Sequence, residues 1–367
     1  MRIILANPRG FCAGVHMAID VVDQVLDLYP GRTIYVFHEI VHNKHVVNRF
    51  RNRGVVFVES IEEVPHGSIV VFSAHGVSPA VREQAKSQQL TMVDATCPLV
   101  TKVHNEAIRY ARQGYDILLV GHTDHQEVQG TRGEAPDNIQ VVECPEDIPG
   151  LKIKNPDKIA YLTQTTLSTD DAAVIIDALR AAFPNLKEPP SSDICYATTN
   201  RQAAVRQIAP EVDVVLVVGS KNSSNSVRLT EISRNAGCPA FLLDDVSELR
   251  AEWFAQIEGG PENATVLVTA GASAPEDLVA DLCRTLVERF GGGPVSRGGR
   301  GVIEQRDIFR EDEEFGLPAT LKRLMREEGI DPETRKIKVG TYDITEEMYG
   351  AAPSIALTVS GRKIAAD

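Results

Sequence analysis

The chain has 367 residues, of which 43% are hydrophobic and 24% are charged, proportions that are typical of globular proteins and exclude a disordered or fibrous chain. It carries 38 lysines and arginines against 51 aspartates and glutamates, so the formal charge of −13 disfavours nucleic acids and anionic membranes as partners. No apolar run reaches the roughly 18 residues of a membrane helix, and no signal peptide is recognisable, which predicts a cytoplasmic protein.

Three segments with the periodicity of amphipathic helices each begin at a cysteine. They start at Cys12, Cys97 and Cys195, and apolar residues recur in each at intervals of three and four. Cysteines in a reducing compartment rarely form disulfides, so these three are predicted to be metal ligands, nucleophiles or buried core residues. The other cysteines do not begin a helix and are predicted to be loop or core residues: Cys144, Cys238 and Cys283.

A strand-like run of β-branched residues follows each of these helices and ends in a polar loop. The polar residues of this first loop lie 28 to 30 residues after the cysteine and are His42, His125 and Asn225. A second strand-like run in each segment ends in a further loop, whose polar residues are His75, Thr165 and Ser273. Parallel sheets collect binding residues at the carboxyl ends of their strands. The pattern predicts an α/β fold of three similar modules with parallel sheets around a pseudo-threefold axis.

The predicted modules divide the chain at two of the cysteines. They cover residues 1–96, 97–193 and 194–290, and residues 291–367 form a fourth region. This region opens with a glycine-rich stretch that is typical of a flexible linker. The charged residues that follow predict a solvated extension or an edge element without site chemistry.

Three thiolates at one centre could bind zinc or an iron–sulfur cluster, because both accept cysteine sulfur. Structural zinc normally has four ligands and short spacings between cysteines, which this chain lacks. A cluster of four irons held by three cysteines leaves one iron open to water or substrate. That arrangement suits chemistry on a hydroxyl group.

The polar loops supply neutral hydrogen-bond donors next to helix starts, a combination that suits phosphate oxygens. The candidate residues are His42, His75, His125, Thr165, Ser223, Ser224, Asn225 and Ser273. Charge-assisted hydrogen bonds contribute about 1.5–3 kcal/mol each, so several of them could hold a diphosphate despite the acidic composition. Glu127 is the carboxylate in these loops, and a raised pKa would let it act as a general acid.

Eight sequence blocks resemble, in order, the LytB/IspH family of 4-hydroxy-3-methylbut-2-enyl diphosphate reductases in the non-mevalonate isoprenoid pathway. The blocks are ANPRGFCAGV, EIVHN, FSAHGVS, DATCPLVTKVH, TQTTLS, DICYATTNRQ, VVGSKNSSNS and TAGASAP. The resemblance implies a trefoil around a central [4Fe–4S] cluster that is held by Cys12, Cys97 and Cys195. It also implies reductive removal of the allylic hydroxyl, which gives isopentenyl and dimethylallyl diphosphates.

The resemblance assigns further roles residue by residue. It implies that Glu127 delivers protons and that Thr165 contacts the reacting hydroxyl. The residues implied to bind the diphosphate are His42, His75, His125, Ser223, Ser224, Asn225 and Ser273. Ferredoxin or flavodoxin is the implied electron donor, and the chain is expected to be a monomer or homodimer. An acidic donor would need a basic patch, for which the candidates are Arg9, Lys44, Lys102 and Lys221.

One loop departs from the family pattern HxGHPE, since it has Asp124 for glycine and Gln126 for proline. A positive φ at this glycine position would strain Asp124.

Two alternative functions stay open. The first is an open-iron enzyme of the quinolinate synthase type, for whose carboxylate substrates an arginine clamp is expected. The second is a non-enzymatic protein that carries a cluster or binds a metal.

Overall fold

The computed structural model describes residues 1–290, 302–334 and 356–360. Strands and helices alternate along the described chain. The strands are β1 (Arg2–Asn7), β2 (Ile34–Phe37), β3 (Val56–Val58), β4 (Ile69–Phe72), β5 (Thr91–Asp94), β6 (Asp116–Val120), β7 (Ile139–Val142), β8 (Ile159–Thr163), β9 (Val214–Val218), β10 (Ala240–Leu243), β11 (Thr265–Ala270), β12 (Val302–Asp307) and β13 (Ala356–Ser360). The α-helices are α1 (Ala13–Leu28), α2 (Lys44–Arg51), α3 (Pro79–Ser87), α4 (Pro98–Arg112), α5 (Gln126–Glu134), α6 (Thr169–Ala182), α7 (Tyr196–Ile208), α8 (Ser224–Asn235), α9 (Glu276–Phe290) and α10 (Ala319–Glu327).

Three parallel sheets organise the described residues, which confirms the predicted α/β fold of three modules. Their strand orders are β3-β2-β4-β5, β7-β6-β8 and β10-β9-β11-β1-β12-β13. The central strands β4, β6 and β9 are buried along their whole length, as expected for continuous apolar runs that are covered by helices on both faces. None of the helices in the described ranges has the length and apolar character of a membrane span.

The N-terminal strand β1 lies in the third sheet, between β11 and β12. Ile4 aligns with Leu267 of β11 on one side and with Glu304 of β12 on the other. This pairing differs from the predicted boundary, which assigned residues 1–96 to the first module. The apolar run of β1 indicates a buried strand, but a run of this kind carries no information about which sheet it joins.

Part of the C-terminal region packs against the rest of the protein, which agrees with the predicted edge element and not with a solvated extension. Strand β12 extends the third sheet beside β1, and β13 pairs with β12. Helix α10 places Leu321, Leu324 and Met325 in the hydrophobic core that the first module forms. These residues recur at helical spacing, so the helix buries one apolar face while its charged face remains outside. The predicted linker at 291–301 lies outside the described residues.

Candidate active site

The three cysteines that begin helices face one cavity. Cys12, Cys97 and Cys195 occupy the N-cap positions of α1, α4 and α7, and none of their side chains caps its own helix. The first backbone N–H groups of each helix therefore have no intrahelical partner and provide a positive end close to the sulfur. These positive ends favour the thiolate form of each cysteine, although burial acts in the opposite direction.

Glycine makes the close approach of two cysteines possible. A Cβ atom on Gly14 would lie 2.6 Å from Sγ of Cys97 and 3.9 Å from Sγ of Cys12, so any side chain there would displace the sulfur. Burial raises the pKa of the Cys195 thiol to about 11, with a smaller contribution from the nearby Cys12. The same two causes raise the pKa of Cys97. Three thiols of this kind lose their protons together only when a cationic group compensates their charge.

The donor set fits an iron–sulfur cluster, because cysteine thiolates are the ligands that these clusters use. Cys12, Cys97 and Cys195 come from the three modules and contribute sulfur to the same cavity. In the part of the chain that the structure describes, no three His, Cys, Asp or Glu side chains are arranged to hold a single metal ion.

Three histidines from two modules form a compact cluster in the cavity wall. The rings of His42 and His75 stack with their centroids 4.1 Å apart. The centroid of the His125 ring lies 5.7 and 6.0 Å from theirs, nearly perpendicular to both. Burial lowers the pKa of His125 to about 3, and burial together with the two other rings lowers the pKa of His75. Nδ1 of His125 accepts a hydrogen bond from the backbone N–H of Glu127 at 3.2 Å, which leaves Nε2 as the donor. This group of three histidines therefore presents at least two neutral imidazoles, those of His75 and His125.

Hydroxyl and amide groups from the third module complete the polar wall. Ser223 caps the N-terminus of α8, and Ser273 donates to the backbone carbonyl of His42 at 2.8 Å. Oδ1 of Asn225 accepts from the backbone N–H of Ala272 at 2.9 Å. The bond from Ser273 joins the third module to the first, and the residues at the start of α8 place its positive end at the cavity. A helix N-terminus among neutral donors is a suitable site for a phosphate group.

Glu127 is a buried carboxyl group that binds Thr165 twice. Its Oε1 accepts from the backbone N–H of Thr165 at 2.6 Å, and its Oε2 lies 2.9 Å from the Thr165 hydroxyl. Glu127 is only 2% exposed. Burial raises the pKa of its carboxyl group to about 7, although the hydrogen bonds from Thr165 act to lower it. A carboxyl group with this pKa holds or releases a proton near neutral pH, as a general acid requires.

Residues 3–287 match the family model described as LytB protein. The chain belongs to the LytB family. A 4-hydroxy-3-methylbut-2-enyl diphosphate reductase from Acidothermus cellulolyticus is 49% identical over 340 residues, which cover 92% of this chain and 95% of the relative. A reductase of the same name from Enterobacter sp. (strain 638) is 51% identical over 322 residues, covering 87% of this chain and 99% of the relative.

Solved structures agree with the assignment to the LytB family. The E-1-hydroxy-2-methyl-but-2-enyl-4-diphosphate reductase of Plasmodium falciparum superimposes with a TM-score of 0.81 and is 38% identical, covering 89% of this chain and 99% of that one. A second structure, of the (E)-4-hydroxy-3-methyl-but-2-enyl diphosphate reductase described as the terminal enzyme of the non-mevalonate pathway, gives a TM-score of 0.56. It is 32% identical and covers 78% of this chain and 99% of its own.

The fold of this LytB chain brings all the sequence-predicted site residues to the one cavity. Its walls contain Cys12, His42, His75, Cys97, His125, Glu127, Thr165, Cys195, Ser223, Ser224, Asn225 and Ser273. Of the other cysteines, Cys238 and Cys283 are buried as core residues.

Other residues that the sequence did not single out also line the cavity of the LytB chain. Thr198 places its hydroxyl 3.2 Å from Sγ of Cys195, and Tyr196 accepts a hydrogen bond from the backbone N–H of Ala13 at 3.1 Å. Residues three positions apart lie on the same face of a helix, so the spacing between Cys195 and Thr198 could have indicated that their side chains are neighbours. Phe315 also contributes to the wall. The motif FxLPxxL that begins at Phe315 resembles the usual C-terminal end of the family, but it does not indicate contact with a site formed by residues more than forty positions earlier.

The loop that departs from the LytB family pattern is free of the expected strain. Within the described ranges, positive φ values among non-glycine residues occur at His38 and Gln89, and Asp124 does not adopt one. Asp124 is exposed, and Gln126 forms the first residue of α5. Both substitutions are therefore compatible with the placement of His125 and Glu127.

The four cationic residues suggested for donor docking do not form a free basic patch on the LytB chain. Each lies next to a carboxylate, in the pairs Arg9–Glu276, Lys44–Asp244, Lys102–Asp193 and Lys221–Glu248, with separations of 2.6, 3.1, 3.2 and 3.9 Å. Arg9 is in addition only 9% exposed. Carboxylates of neighbouring segments thus offset the charge of these residues, a feature that sequence alone does not reveal, and donor docking at them stays a prediction.

Proposed function

We propose that this LytB chain reduces 4-hydroxy-3-methylbut-2-enyl diphosphate. The allylic hydroxyl leaves as water, two electrons and two protons are consumed, and the products are isopentenyl and dimethylallyl diphosphates. The observation that carries the proposal is the single cavity, where three cysteines, a polar wall of neutral donors and a buried carboxyl group with a raised pKa meet. Relatives that cover most of the chain carry the name of this reductase.

The proposal includes a [4Fe–4S] cluster that is bound by Cys12, Cys97 and Cys195. The common cavity, the space beside Gly14 and the three helix N-termini support this assignment. When bound, such a cluster supplies electrons and an open iron that acts as a Lewis acid toward the substrate oxygen. Free thiols and a cluster of this kind require a reducing compartment, so the proposal places the protein in the cytoplasm.

The diphosphate binds to the polar wall in this proposal. The residues that contact it are His42, His75, His125, Ser223, Ser224, Asn225 and Ser273. Neutral imidazoles and hydroxyls donate hydrogen bonds without requiring the protein to bury excess positive charge. The N-terminus of α8 adds a favourable dipole. This explains how a protein with a formal charge of −13 accommodates an anionic substrate.

Glu127 and Thr165 form the proton-delivering pair in this proposal. The Thr165 hydroxyl donates to Oε2 of Glu127 in the structure. Once Oε2 is protonated, it donates to this hydroxyl instead, which can then direct its own proton into the cavity. Thr165 thereby contacts the region of the reacting hydroxyl. The departing oxygen gains a proton as its bond to carbon breaks, and a second proton completes the hydrocarbon product. The electrons come from ferredoxin or flavodoxin, and the protein acts as a monomer or homodimer.

The turnover rate is expected to fall as the pH rises through about 7. The pKa of Glu127 is raised, so this group is protonated below that pH and ionised above it, and only the protonated form is a general acid. In the alkaline range, kcat should decrease by about tenfold per pH unit. The measurement is kcat at saturating substrate with an excess of an artificial reductant. A profile that stays flat between about pH 6 and pH 9 would contradict this role.

An anaerobic assay with the allylic diphosphate and a reduced viologen dye tests the proposed function. The purified protein is expected to be brown, to contain about four irons per chain and to convert the diphosphate into the two isomeric products. Identification of the products separates this reaction from that of an enzyme of the quinolinate synthase type. A colourless, zinc-loaded protein, or an iron-loaded protein that leaves the diphosphate unchanged, would overturn the proposal.

A further inference from the structure

A fully buried arginine lies directly behind the cavity. Arg201 belongs to α7, the helix that begins after Cys195, and its side chain has no exposed surface. Nε and Nη2 donate to the carbonyl of Gly10 at 3.2 and 2.8 Å, and Nη1 donates to the carbonyl of Ala197 at 3.0 Å. These bonds fix the backbone just before Cys12 to the helix that follows Cys195.

The charge of Arg201 is compensated by a carboxylate from far along the chain. Nη1 of Arg201 lies 2.9 and 3.2 Å from the two carboxylate oxygens of Glu311. Nδ2 of Asn200 also donates to Oε1 of Glu311 at 3.2 Å. Among the described residues, Glu311 is the carboxylate within ion-pair distance of Arg201. A buried charge that loses its partner is strongly unfavourable, so this pair constrains the segment that carries Glu311.

We name residues 308–318 the closing segment, because they connect β12 to α10 and pass the cavity. The backbone N–H of Ile308 donates to the carbonyl of Asn7 at 2.8 Å, which fixes the start of this segment. At its other end, Leu317 is buried in the core of the first module. Phe315 lies between these ends, lines the cavity and packs against the same core. Its position therefore depends on how firmly the closing segment is held.

The acidic run in the closing segment has one member that differs from the others. Glu311 is partly buried, whereas the three acidic residues that follow it are exposed: Asp312, Glu313 and Glu314. The ion pair with Arg201 explains the difference. The run REDEEF, which looks like a uniformly solvated stretch in the sequence, thus contains one structural anchor.

We propose that Arg201 and Glu311 are positioning residues that hold the closing segment across the cavity, so that Phe315 completes its apolar wall. Val15 and Val41 belong to the same hydrophobic core and also line the cavity, so Phe315 extends a continuous apolar surface. This surface would contact the hydrocarbon part of the substrate and keep water from the hydrogen bonds of the polar wall. This last step rests on the proposed function, whereas the attachment of the closing segment does not.

Hydrogen exchange of the full-length protein tests the attachment without any substrate. In Glu311→Gln, exchange of the Ile308 and Phe309 amides, which both donate to the carbonyl of Asn7, is expected to be about 100-fold faster than in the wild type. Glu313→Gln removes the same charge from an exposed position two residues later and should exchange like the wild type. Glu311→Asp keeps the charge and should restore part of the protection, which guards against a general loss of folding. Unchanged exchange in Glu311→Gln would overturn the proposal.

Steady-state kinetics test whether the pair acts through Phe315. Glu311→Gln and Phe315→Ala are each expected to raise KM about tenfold, with a smaller change in kcat and an unchanged iron content. The double variant should resemble Phe315→Ala alone, because both changes remove the same wall. Effects on KM that multiply in the double variant would show that Glu311 does not act through Phe315. If the wild type leaves the diphosphate unchanged, the proposed function fails, while the exchange result still decides the attachment.

Discussion

Replacing Glu127 with glutamine is expected to lower kcat by about 1,000-fold while KM stays within a few-fold of the wild-type value, as is typical when a general acid is lost. Glutamine has nearly the same shape as glutamate, and its carbonyl can still accept from the backbone N–H of Thr165. It has no acidic proton to deliver, so the step that needs a proton slows while binding of the substrate is retained.

The measurement compares kcat and KM of Glu127→Gln with those of the wild type under anaerobic conditions. Glu83→Gln is a suitable control, because it removes the same charge from an exposed position on α3. The residual activity of Glu127→Gln should also lack the decrease near pH 7, since that decrease is assigned to the pKa of this carboxyl group. Wild-type turnover in the variant would remove Glu127 from the mechanism.

Replacing Cys195 with serine is expected to abolish stable binding of iron and to reduce turnover below detection. Serine preserves the size of the side chain but offers a hydroxyl, which is a poor ligand where a thiolate is needed. The assigned cluster would then have two of its three cysteine ligands, and the remaining thiols would be buried without a compensating cation. The measurements are iron content per chain, the visible absorption of the cluster and activity.

Cys238→Ser is the matched control for this experiment. Cys238 is also buried, but its thiol lies outside the cavity and donates to the backbone carbonyl of Val212 at 3.4 Å. A serine can make a similar hydrogen bond, so this variant should keep its iron and its activity. Equal loss of iron in both variants would contradict the assignment of three ligands.

The site could be predicted from the sequence because each of the three modules repeats the same pattern of a cysteine and two polar loops. Cys12, Cys97 and Cys195 each begin a helix, and polar loops follow at similar distances, so the geometry of parallel sheets was sufficient to predict that these residues meet. The family resemblance then assigned roles to them. The structure places all of them around one cavity, but their individual roles stay predictions.

Contacts between distant segments were beyond the reach of sequence reasoning. The ion pair between the buried Arg201 and the partly buried Glu311 joins residues 110 positions apart. Phe315 lines the cavity, although the charged stretch before it predicts a solvated segment. Local periodicity reports which face of an element is buried, but it does not report what covers that face. For the same reason, β1 was recognisable as a strand, although its place in the third sheet was not.

The position of β1 between β11 and β12 determines the order in which the protein can assemble during synthesis. Residues 2–7 leave the ribosome before either neighbouring strand, and the first of these follows about 260 residues later, which takes about 13 to 52 s at roughly 5–20 residues per second. The first and second sheets contain no strand from this late part of the chain and can form earlier. Cys12 follows β1 closely, so the nascent chain acquires the full set of three cysteines at one centre only after β11 and β12 have been made.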